Sequence, residues 1–164
     1  MKILLDTSYF LPLIGISIKG IPRDTILLFL EENEVYISEI TIFELSAKAA
    51  KYFVKNILPL HRFTRGLKAL IYDERIEIIP LYDDEIHSTA FKIRKIVKDY
   101  IDCLILSTAL NYCELMVTED EDLLNLREDD YWKKIKEEVN KDFKIVNLEE
   151  YRSSIRKTSF ANSS

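Results

Sequence analysis

At 164 residues and 48% hydrophobic content, the chain carries enough apolar side chain for one packed domain and is too short for two. No run reaches the roughly 18 apolar residues that a bilayer span needs, and only Ile3, Leu4 and Leu5 separate Lys2 from Asp6, so the chain reads as cytoplasmic, with neither membrane span nor signal peptide. A formal charge of -5 excludes a uniformly basic nucleic-acid binder, yet residues 45–72 contain no Asp or Glu and form an arm of charge +6 against -11 for the remainder.

In chain order, "KILLD" (2–6) predicts a first strand ending on a carboxylate, and residues 22–32 a helix. "VYIS" (35–38) predicts a second strand, followed by helices over 40–55 and 57–72. "RIEII" (75–79) is a third strand; Ile86, Ala90, Ile93 and Val97 then fall at helical spacing, as do the apolar residues of "DCLILSTALNY". "ELMVT" (114–118) and "FKIVN" (143–147) are the fourth and fifth strands, and Trp132 packs an intervening helix onto the body. Strands separated by helices imply an α/β sandwich around a mainly parallel five-stranded sheet. One domain is expected over 1–150, with 151–164 as a C-terminal tail whose last residues are mobile or docked on a neighbour.

Cys103 and Cys113 lie ten residues apart in one predicted helix, too far to bridge each other, and read as reduced core residues. Gly15, Gly20 and Gly66 are the only glycines, so no Gly-rich loop follows the first strand to hold a dinucleotide or triphosphate. His61 and His87 lie far in sequence from any acidic strand end and read as surface or helix residues.

Ligands of parallel sheets sit beyond the carboxyl ends of the strands. Four acids answer to that edge: Asp6 after strand one, Glu44 in "SEITIFEL", Asp102 in "DYIDCLIL" and Asp120 in "VTEDEDLL", with Asp122 as a fifth candidate. Capping competes as an explanation: Thr41 with Glu44 and Thr118 with Glu121 fit the S/T-x-x-E box, and Asp99 fits a cap for the helix bearing Asp102. Convergent carboxylates raise one another's pKa unless a cation neutralises them. Oxygen-only donors select Mg²⁺ or Mn²⁺, and no Cys/His spacing for zinc is present.

"ILLDTSYF", "YISEITIFEL", "DYIDCLILSTAL" and "LMVTEDEDLL", in this order, resemble the PIN-domain ribonucleases, including VapC-type toxins of prokaryotic toxin–antitoxin pairs. The likeness runs from Lys2 to about Leu148 and implies a three-layer α/β/α sandwich. By that resemblance Asp6, Glu44, Asp102 and Asp120 are catalytic, Asp6, Asp102, Asp120 and Asp122 hold metal, and the hydroxyls of Ser8 and Thr118 support the site. The implied reaction is metal-dependent endonucleolytic hydrolysis of RNA, leaving a 5′-phosphate and a 3′-hydroxyl. The acidic stretch "EDEDLLNLREDDYWKKIKEEVNKD" is longer than the usual end of a small PIN toxin, which bears on the toxin role more than on the fold.

Because the site is negative, RNA must be drawn in by cations elsewhere, and Lys48, Lys51 and Lys55 recur at helical spacing in the acid-free arm. The same arm forms the homodimer contact and antitoxin groove in similar proteins, with Tyr52, Phe53, Leu58, Leu60 and Phe63 as apolar anchors. Two other readings stand beside the nuclease. One is a PIN-like RNA- or protein-binding module without catalysis; the other is a haloacid-dehalogenase-type phosphohydrolase, which ordinarily has a second acid where this chain has Ser8.

Overall fold

The computed structural model describes residues 1–161, with side chains to residue 155, so the predicted behaviour of the last few residues falls outside the described residues. Five strands form one sheet: β1 (Lys2–Leu5), β2 (Glu34–Ser38), β3 (Ile76–Ile79), β4 (Leu115–Val117) and β5 (Lys144–Val146), in the order β3-β2-β1-β4-β5. Every pairing is parallel, so the sheet is wholly rather than mainly parallel. Ile3 sits between Val35 and Leu115, and Leu4 between Tyr36 and Met116, which fixes β1 at the centre.

Both faces of a parallel sheet must be covered, and the strands are apolar on both. Alternation sends Ile3, Leu5, Val35 and Ile37 to one side and Leu4, Tyr36, Met116 and Ile145 to the other. The first core is closed by residues from α1 (Thr25–Leu30), α2 (Glu39–Val54), α3 (Leu60–Ile71) and α8 (Leu148–Ala161), represented by Phe29, Leu45, Leu70 and Tyr151. The second is closed by α4 (Asp84–Ile93), α5 (Tyr100–Tyr112), the short α6 (Glu121–Asn125) and α7 (Asp130–Val139), represented by Ile86, Leu106, Leu123 and Trp132. The result is the three-layer α/β/α sandwich expected.

Trp132 is buried edge-on against Phe143, centroids 6.3 Å apart, in the packing role predicted for it. Cys103 and Cys113 are free and buried. His61 is exposed, and His87 Nε2 lies 2.6 Å from the Leu81 carbonyl. No break falls at residue 150, because α8 runs across it and Tyr151 packs on Phe29 at 4.7 Å. At Gly66, in the middle of α3, an added Cβ would lie 2.4 Å from the Leu13 carbonyl oxygen, so the bare backbone lets the helix seat on the loop after β1.

Candidate functional site

Asp6 leaves β1 and caps a 3₁₀ turn over Thr7–Tyr9, its Oδ1 accepting from the Thr7 N–H at 2.7 Å. Its own N–H donates to the Val117 carbonyl at 3.1 Å, which fastens the end of β1 to the end of β4. Oδ2 accepts from Thr118 Oγ1 at 2.9 Å and, more weakly, from Ser8 Oγ at 3.4 Å. Burial drives the Asp6 pKa up; the donors from Thr118 and Thr7 act against it, and Glu44 adds to the rise. The sequence expectation placed hydroxyls at Ser8 and Thr118, and both stand beside this carboxylate.

Glu44 reaches the same region from α2. Its Oε2 accepts a short hydrogen bond from Thr7 Oγ1, and its Oε1 pairs with Lys48 Nζ at 2.7 Å, one turn along the helix. Thr41 takes no part in a capping box: it lies inside α2, fully buried, and its hydroxyl finds no partner among the described residues. The N-cap position of α2 is Ser38, whose hydroxyl is instead 3.0 Å from Thr108 Oγ1. The capping explanation of Glu44 therefore falls.

Asp102 stands in the first turn of α5, half-buried, and accepts no hydrogen bond among the described residues. A carboxylate there ordinarily gains from the helix dipole. Burial, followed by the charges of Asp99, Asp120, Asp6 and Glu44, overrides that gain and pushes its pKa up to about 7. Asp99 caps α5 as predicted, accepting from the Ile101 N–H at 2.8 Å.

Asp120 follows β4 and is itself the N-cap of α6, accepting from the N–H groups of Asp122 and Leu123 at 2.8 and 3.2 Å. Thr118 is thus not the cap that the Thr118–Glu121 spacing suggested. Its fully buried hydroxyl accepts from the Asp120 N–H at 3.0 Å while donating to Asp6, so it bridges two of the acids. Asp122 is exposed on the first turn of α6, and its carboxylate makes no hydrogen bond or ion pair among the described residues.

Asp120, Asp6 and Glu44, from three other segments, thus stand near enough to Asp102 at the carboxyl edge of the sheet for their charges to act on it. Among the described residues no three Asp, Glu, His or Cys side chains are gathered into a ligating cluster. Asp6 and Asp120 are spent on capping and Glu44 on Thr7 and Lys48, while Asp102 accepts no hydrogen bond among the described residues. The donor set is all oxygen, and its mutual repulsion is of the kind a hard divalent cation relieves. In donor chemistry and charge the residues fit such an ion.

Two partners escaped sequence reasoning. Thr7 holds Glu44, a role its position beside Asp6 hinted at. Glu119 Oε1 accepts from Tyr9 Oη at 2.5 Å and from the Leu148 N–H at 2.9 Å, linking the 3₁₀ turn to the start of α8, and no local pattern announced it.

Lys48 is at the site through Glu44, whereas Lys51 and Lys55 are exposed at the far end of α2, Lys55 being its C-cap. No helix among the described residues is long and apolar enough to cross a membrane.

No curated protein matches the chain. Among solved structures, it is similar to a chain in the crystal structure of VapBC2 from Rickettsia felis bound to a DNA fragment from their promoter. The TM-score is 0.56 at 18% identity, over 90% of this chain and 98% of that one. The PIN domain family matches residues 3–129, which take in β1 through β4 and all four carboxylates. The chain belongs to the PIN domain family.

Proposed function

We propose that this protein is a divalent-metal-dependent endoribonuclease and acts as the toxin of a toxin–antitoxin pair. The observation that carries this is the set of Asp6, Glu44, Asp102 and Asp120 at one sheet edge, with Asp102 pushed up to about 7 by its burial and its neighbours. Membership of a family whose domains are generally nucleases supports it, as does the fold shared with a chain of a VapBC complex.

In this reading Asp6, Asp102 and Asp120 hold Mg²⁺ or Mn²⁺, with Asp122 as an additional ligand. The ion supplies Lewis acidity that lowers the pKa of water and offsets phosphate charge. Thr118 and Ser8 orient Asp6. Thr7 fixes Glu44, whose carboxylate aligns the attacking water, and Lys48 beside it offsets charge that develops on the phosphate. In-line attack of water on phosphorus breaks the bond to the 3′ oxygen and leaves a 5′-phosphate and a 3′-hydroxyl.

Lys51 and Lys55 extend the path for RNA phosphates. The apolar cleft between α2 and α3, about 160 Å³ and lined by Ala49, Phe53, Leu58, Leu60 and Phe63, supports a contact with a second copy or an antitoxin helix, since Phe53 and Leu60 are more than half exposed.

The test is cleavage of labelled single-stranded RNA with Mg²⁺, Mn²⁺ or EDTA, beside Asp6→Asn prepared identically. Metal-dependent cutting that disappears in the variant is expected; equal cutting by both proteins refutes the site, and RNA binding without cutting under any metal favours the non-catalytic module.

A further inference from the structure

A second cleft lies on the far edge of the sheet, away from α2. Its volume is about 330 Å³, and its walls carry Arg127, Lys133, Lys136 and Lys144 with no acidic side chain. In a protein of net charge -5, four cations around one cavity mark a local reversal of sign.

Arg127 and Lys133 are held by Glu150 and Asp130 outside the cleft, at 2.9 and 3.2 Å, and all four side chains are well exposed. Pairs of that kind contribute roughly 0–1 kcal/mol and exchange partners readily. Lys136 and Lys144 have no ion pair among the described residues.

The cleft also opens onto the free edge of a strand. β5 is the last strand in the order, bonded only to β4. The Lys144 N–H donates to the Glu114 carbonyl at 3.1 Å, and the Val146 carbonyl accepts from Thr118 at 3.0 Å. In a parallel ladder alternate residues address opposite neighbours, so the N–H and C=O of Ile145 point to the open edge. Ile145 lines the cleft although its side chain packs in the core.

We infer that this edge takes an extended acidic segment of a partner protein, which adds as a sixth strand beside β5 with its carboxylates on Lys136 and Lys144. A strand supplies both things the cleft lacks: main-chain partners for Ile145, and negative charge at every second residue on one face. Nucleic acid matches only the charge, because the aromatic rings here, Trp132 and Phe143, are 2% and 1% exposed and present no face for a base. The chain's own residues 156–164, "RKTSFANSS", include two cations and no Asp or Glu, the wrong sign for this cleft. The inference does not depend on the carboxylate site.

The test is titration of ¹⁵N-labelled protein with a short synthetic peptide of alternating Glu and Val. The amide signals of Lys136, Lys144 and Ile145 should shift, and the Ile145 N–H should gain protection from exchange. Lys136→Glu with Lys144→Glu should weaken binding about tenfold. On the unaltered protein, the same peptide N-methylated at alternate residues should lose binding, because its charge is kept and its main-chain donors are gone. Shifts confined to other regions, equal binding of the N-methylated peptide, or tighter occupancy of the cleft by a single-stranded oligoribonucleotide would each overturn the inference.

Discussion

Thr118 Oγ1 donates to Asp6 Oδ2 at 2.9 Å across the junction of the two central strands. The same hydroxyl accepts from the Asp120 N–H at 3.0 Å. Thr118→Val removes both bonds at nearly constant volume, leaving Asp6 Oδ2 with only the weak 3.4 Å contact to Ser8 and the Asp120 N–H without its acceptor. The expected loss is about 1–3 kcal/mol in chemical denaturation, together with weaker Mn²⁺ binding by calorimetry. Thr118→Ser should retain most of both, and a Val variant as stable as the parent would contradict the bridging role.

Asp102 makes a pH-dependent contribution that can be isolated by mutation. Its folded-state pKa, about 7, lies above the ordinary 3.8, so the folded chain holds the proton more tightly than the unfolded one. That stability is complete below about pH 3.8 and is lost as pH rises through about 7. Asp102→Asn abolishes this component. The metal-free variant should be more stable than the parent by about 1–2 kcal/mol near pH 8, after discounting for the solvent that reaches the group. Mn²⁺ should raise the melting temperature of the parent more than that of the variant. A variant less stable at alkaline pH would show that Asp102 is not repelled.

Gly66→Ala tests the seat of α3. In an exposed helix that change stabilises by up to about 1 kcal/mol. Here the new methyl meets main-chain atoms, the Leu13 oxygen at 2.4 Å and Ile14 Cα at 2.7 Å, so helix and loop must separate. The sign should reverse to a loss of about 1–3 kcal/mol, read from the denaturation midpoint.

The three lysines of α2 should separate in their effects on RNA. Lys51→Ala and Lys55→Ala each remove one exposed cation, lowering the salt slope of binding by about 1 without changing cleavage of bound RNA. Lys48→Ala also releases Glu44 from its 2.7 Å pair, so the single-turnover cleavage rate should fall as well. Equal effects at all three positions would reduce Lys48 to one more surface charge.

The strands were legible because each is a short apolar run, fully buried in β4 and nearly so in β1 and β2, and every observed strand overlaps its predicted one. Asp6 was legible because a carboxylate closing the run "KILL" has no place in a core. The capping boxes misled because S/T-x-x-E is a local pattern, whereas Glu44 bonds to Thr7, 37 residues away, and Thr118 to Asp6, 112 residues away. Helix α8 was read as a tail because "RSSIRKTSFANSS" turns polar; the stripe of Leu148, Tyr151 and Ile155 straddles the assumed boundary, and Tyr151 docks it against Phe29 and Asn33. The basic cleft was hidden because residues 127–144 carry as many acids as cations, and only the fold brings Arg127, Lys133, Lys136 and Lys144 to one cavity.

The pairing of β1 with β4 also sets a timetable. Ile3 must wait for Leu115, so β1 gains its second neighbour only after more than a hundred further residues have been made. Until then Asp6 faces neither Thr118 nor Asp120, and a chain that stops short of them carries no assembled site. The acidic edge is therefore completed late, when β4 takes its place beside β1 and Thr118 reaches Asp6.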